Sequence, residues 1–209
     1  MASELRRKFT MPTARLETLA DGIFAIAMTL LVLSIEAPLP GAISSSVDFQ
    51  NYVFELIPKI SVYALSFILL GSFWLNHHIF FLIKKTNTRL VWINILWLML
   101  VVLVPFSASL IGSYSQYPLS EIIFGLNMFL IGILYVINLL YAYYGGFMEE
   151  KVRPYTKRII LSYISLPIIA LISISISFIS PFWSLAVYPI VPIIMSSFSV
   201  LYRVHKSKE

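Results

Sequence analysis

The chain has 209 residues, of which 59% are hydrophobic and only 12% charged, with a mean hydropathy of +0.87. Several apolar runs are longer than about 18 residues, so no water-soluble domain can be cut out and the chain reads as a multi-spanning membrane protein. The absence of cysteine excludes disulfides and thiolate metal sites. The net charge of +5 is a topology signal in such a protein and does not point to nucleic acid.

The N-terminus is short, basic and polar, and the apolar run after it ends in Glu36-Ala37-Pro38 without a small-residue cleavage pattern, so the first helix is expected to stay uncleaved. That first span, residues 14–37, is long enough at about 1.5 Å per residue to cross a hydrocarbon core of about 30 Å. At 100° per residue, Ile26, Leu30 and Leu33 form one narrow aliphatic stripe, flanked by Thr18, Gly22, Ala25 and Thr29. Asp21 points about 140° away from Ile26. A helix that aims Ile26 at a central axis therefore turns Asp21 toward its own bundle, where an acid needs a partner.

Five further spans are expected at residues 51–83, 89–111, 120–147, 157–179 and 181–203, giving an all-α membrane protein with six transmembrane helices in a single domain. An even number of crossings puts both termini on one side. Fourteen of the 15 Lys and Arg fall there too, before span one, between spans two and three, between spans four and five, and at the C-terminus. Both termini are therefore expected in the cytoplasm. Lys59 is the exception, one turn from Glu55 near the external end of span two, where an i,i+4 pair offsets its charge.

Span two carries Trp74, Asn76, His77 and His78 about one to two turns from its cytoplasmic end, at the depth of Asp21, and one of the two histidines must face the bundle. In span three, Pro105 removes a backbone donor and is expected to bend the helix, with Ser107 as one candidate to satisfy the freed carbonyl. Span four holds Asn127 and Asn138 and ends in a tyrosine belt. The SISISF run of span five, Ser173 to Phe178, alternates like a strand, but a lone strand in lipid leaves its backbone groups unpaired, so a helix is expected. Spans five and six carry no internal charge and are expected on the outside of the bundle.

No nucleophile with a base, paired carboxylates or glycine-rich phosphate loop is laid out, so no enzyme activity is expected. The two histidines are adjacent instead of at i,i+4, which disfavours a helical metal site.

The first span resembles the signature helix of the transmembrane protein 175 family of potassium channels. Arg15, Asp21, Ala25, Ile26, Thr29, Leu30 and Leu33 match its pattern in place, although the family's Phe-Ser-Asp triplet is Leu19-Ala20-Asp21 here. In span three, Asn94, Pro105, Phe106, Gly112 and Tyr114 match as well. The resemblance implies a prokaryotic member, a homotetramer in the cell membrane, permeability to potassium over sodium among monovalent cations, and a structural polar network that we place at Arg15, Asp21, His77 and Asn94. No cofactor is expected beyond the permeant potassium ion.

Six helices without a re-entrant loop or a threonine-glycine-tyrosine filter leave no selectivity filter inside one subunit, so a pore must be shared between copies, with the first helix lining it. Ile26, Leu30 and Leu33 are then the gate, blocking ions by dewetting, and Thr29 supplies hydroxyls for selectivity. The alternative is a proton-coupled or proton-conducting transporter using Asp21 and His77 as titrating groups.

Overall fold

The computed structural model describes residues 13–77, 87–148, 150 and 153–196. Helix α1, Thr13–Leu30, runs on into a 3-10 turn, Leu31–Ser34, and the chain leaves helical geometry before Pro38 and Pro40. The span therefore stops short of Ala37. Gly41, at φ 85°, turns the chain toward α2, where a side chain would be strained.

Helix α2, Ser46–His77, starts five residues earlier than the apolar pattern suggests; residues 78–83 of that expected span, His78 among them, lie outside the described residues. Asp48 sits in its first turn, accepting from the Ser44 N–H and suited to the positive end of the helix dipole. The third span divides at Leu103 into α3, Thr88–Val102, and α4, Val104–Tyr114. This is the bend expected of Pro105, which becomes one of the first residues of α4, where its missing N–H costs nothing. Ser107 is spent differently from the expectation: its hydroxyl donates to the Val104 carbonyl at 3.1 Å and accepts from Asn127 at 3.2 Å.

Helix α5, Pro118–Tyr144, and helix α6, Thr156–Ser177, complete the long helices. The alternating serines of α6 are compatible with a helix because they return their hydroxyls to it, as Ser175 does to Leu171 O and Ser177 to Ile174 O. Residues 197–203 of the last expected span, 181–203, lie outside the described residues, and the described part is not one regular α-helix. Pro181–Ser184 forms a short helix, α7, and a shorter apolar helix, α8, Leu185–Ser196, follows; the described residues end there. Five helices are thus long and apolar enough to cross a membrane among the described residues.

The elements pack in a row. α1 lies against α2, α3 and α4, α3 and α4 lie against α5, α5 against α6, and α6 against α7. The α5–α6 crossing is the closest. A Cβ on Gly132 would stand 2.5 Å from Pro167 Cδ and 3.1 Å from its nitrogen, and one on Gly125, two turns away on the same face, 2.6 Å from Ile174 Cγ1. Small residues let backbones approach in lipid, where dispersion replaces the hydrophobic drive.

At the far edge of the row, α1 joins the hydrophobic core of the chain. Ala20, Phe24 and Ala27 are buried with Leu31 against Phe73, Trp97 and Val101.

Candidate functional site

Leu16, Ala20, Phe24 and Ala27, the buried residues of α1, centre about 120° from Ile26 at 100° per residue. Everything opposite them is exposed, namely Thr18, Gly22, Ala25, Ile26, Thr29 and Leu30. The three residues of the stripe stay open, with Ile26 at 59%, Leu30 at 39% and Leu33 at 67% exposure, so the chain's own helices do not cover it. Thr29, which the sequence places beside the stripe, stands diametrically opposite the buried face. Its hydroxyl donates to the Ile26 carbonyl at 2.8 Å, which spends its proton on the helix and leaves oxygen lone pairs outward.

The expected cluster of Arg15, Asp21, His77 and Asn94 divides in two. Asp21 is exposed at the border of the buried face, not sunk into the bundle, and its partner is neither Arg15 nor His77: the Trp74 indole N–H donates to Asp21 Oδ1 at 2.8 Å. The reason is rotational. Asp21 lies about 100° beyond the centre of the buried face, within reach of α2 but not of the interior. Arg15 is exposed.

His77 faces inward, at 3% exposure. Its Nε2 lies 3.1 Å from Asn94 Oδ1, its ring stacks on Trp97 at 5.2 Å, and Phe24 lies 6.2 Å away. Trp97 in turn donates to the Ile131 carbonyl at 3.1 Å and Tyr135 to the Asn76 carbonyl at 2.9 Å, so this aromatic column ties α1, α2, α3 and α5 together.

Losing the Trp74–Asp21 bond should loosen α1 without altering its exposed outer face. We expect Trp74→Phe and Asp21→Ala each to lower the unfolding temperature in detergent by about 2–4 °C, the shift for about 1 kcal/mol of hydrogen bond in a chain of this size. Reversal potentials in mixed potassium and sodium should hold. A stable Asp21→Ala protein with an altered reversal potential would put the acid on the ion path.

One buried acid was passed over in the sequence. Glu121, in the first turn of α5, is 1% exposed, with Oε1 2.5 Å from Ser173 Oγ. An acid inside an apolar run was the available signal; its partners, some 50 residues further on, left no local trace.

A row of apolar helices, five of them long enough to cross a membrane, whose edge helix is fastened by one face and turns a bare aliphatic and threonine face outward defines a multi-pass integral membrane protein. Residues 15–105 match the family described as endosomal/lysosomal potassium channel TMEM175, and a protein named potassium channel from Chryseobacterium sp. (strain P1-3) is 30% identical over 189 residues, 88% of this chain and 92% of that one. The chain belongs to the TMEM175 family. A second protein named potassium channel, from Chamaesiphon minutus, is 38% identical over 111 residues, so the match spans 53% of this chain and 54% of the relative. The crystal structure of a lysosomal potassium-selective channel TMEM175 homolog from Chamaesiphon minutus is similar with a TM-score of 0.78 at 30% identity, covering 88% of this chain and 96% of that one.

Proposed function

We propose that the chain is one subunit of a homotetrameric potassium-permeable channel in a prokaryotic cell membrane, with both termini cytoplasmic and four copies of α1 around a shared pore. The observation that carries this reading is the outer face of α1, apolar at Ile26, Leu30 and Leu33 and uncovered by its own chain. Exposed aliphatics on an edge helix face either lipid or another copy, and the names of the relatives favour the second. Rings of Ile26, Leu30 and Leu33 then form a gate that excludes water when narrow, and Thr29 oxygens meet the permeating ion. Potassium is the permeant ion and no cofactor is required. The excess of Lys and Arg on one side supports the orientation.

The purified chain in liposomes is expected to carry a linear, unsaturable potassium current. Saturable flux with a fixed proton stoichiometry would replace this reading by the transporter; the separate partners of Asp21 and His77 argue against a relay between them.

Selectivity has its own test. Thr29→Val keeps the shape and removes the oxygen, so potassium preference over sodium should fall while conduction persists. An unchanged reversal potential in mixed ions would remove Thr29 from the selectivity mechanism.

A further inference from the structure

The far side of the subunit, remote from α1, holds an arrangement the pore does not use. Glu121 of α5, Ser173 of α6 and Ser184 of α7 meet in a site where all three are buried. Ser173 Oγ lies 2.5 Å from Glu121 Oε1 and 2.7 Å from the Ser184 carbonyl oxygen. A serine hydroxyl carries one proton, and a carbonyl carries none. If Ser173 donates to the Ser184 carbonyl, the contact with Glu121 lacks a proton unless the carboxyl supplies it. The Ser184 hydroxyl is already committed to the Pro181 carbonyl at 2.5 Å.

The other carboxyl oxygen points the same way. Glu121 Oε2 is buried with no hydrogen-bond partner among the described residues. A carboxylate would leave half its charge on that bare oxygen, whereas in a neutral acid the same atom is only an unpaired carbonyl, a much smaller burden in an apolar site. Among the described residues, α4, α7 and α8 carry no charged residue, and Glu121 is the only one in α5. Arg89 stands at the opposite end of α3, and Lys157 and Arg158 at the opposite end of α6 from Ser173. Lys59, on the external half of α2, packs on Gly112 of α4. A titratable neighbour is Tyr188, whose ring meets Phe124 edge-on at 5.3 Å and whose hydroxyl is also buried without a hydrogen-bond partner among the described residues.

We infer that Glu121 is a proton-binding site, a neutral carboxylic acid whose O–H donates to Ser173 while Ser173 donates to the Ser184 carbonyl, so that a single proton fastens α5, α6 and α7 at the external end of the subunit. The clasp is separate from the conduction face, and its ligand is a proton instead of a metal cation.

Infrared spectroscopy of the full chain in lipid at neutral pH tests this. The wild-type minus E121Q difference spectrum is expected to contain the C=O stretch of a protonated carboxyl, shifted in D2O. S173A should displace that band without abolishing it, because the acid loses its acceptor but keeps its burial, a change that loss of packing alone does not produce. If E121Q fails to assemble, carbon-13 labelling of the glutamate carboxyls in the wild type and S173A gives the same readout without a change at position 121. A spectrum with carboxylate bands only, whether the charge is met by a bound cation or by water, would overturn the assignment.

Discussion

Replacing Ile26 by Asn should raise the basal potassium flux of the reconstituted chain about tenfold, the gain that follows from lowering a barrier by about 1.4 kcal/mol. In the proposed shared pore, that barrier would be the cost of wetting a narrow apolar ring, and an amide at each copy's Ile26 would hold water in the constriction. Leu30→Asn should act in the same direction and to a lesser degree, since Leu30 is less exposed and turns further toward the chain's own core. Stopped-flow flux from liposomes loaded with a potassium-sensitive dye measures both. If both variants fold normally and leak no more than the wild type, the face of α1 that carries Ile26 does not line the pore.

The other large effect concerns stability. Gly132→Ala places a methyl group 2.5 Å from the Pro167 ring and 3.1 Å from its backbone nitrogen, and neither can rotate away. Helices α5 and α6 must separate along their length, and overpacking of this kind costs about 1–3 kcal/mol. Gly125→Ala should be milder. It meets the Ile174 side chain at 2.6 Å, and a side chain can change rotamer where a proline ring in a helix cannot. Thermal unfolding in detergent is expected to rank the wild type above Gly125→Ala and Gly125→Ala above Gly132→Ala. Equal stability of the wild type and Gly132→Ala would show that the crossing is looser than its geometry.

Apolar length made the long helices legible in the sequence, because lipid admits no other backbone solution for such runs. The bend at Pro105 was legible for the same local reason, a missing donor. The outward stripe was also readable, since a helix's own periodicity fixes which residues share a face. What periodicity lacks is the rotation of that helix against its neighbours. Asp21 was assigned to the interior on the assumption that the core lies opposite Ile26; it lies about 120° away, and the difference moves the acid to the border and into the reach of Trp74. The inward placement of His77 depended on the stacking surface offered by Trp97, a residue on another helix. The Glu121 site depended on two later segments meeting at one point. Pro189 and Pro192 predict bends in the last span, and its described part is a short helix, Pro181–Ser184, followed by Leu185–Ser196, which opens with 3-10 geometry at Leu185–Val187.

The position of α1 at the edge of the row has a genetic consequence. If the pore is shared as proposed, a subunit that contributes a single wall to it cannot be judged alone, because every conducting unit would sample several copies at once. When wild-type and Ile26→Asn chains are made in the same cell and mix freely, the share of assemblies free of the variant falls as a power of the wild-type fraction, with the number of copies as the exponent. One faulty allele would then spoil most of the pores in a cell, and the steepness of that dominance, titrated by expression ratio, counts the subunits without purifying the protein.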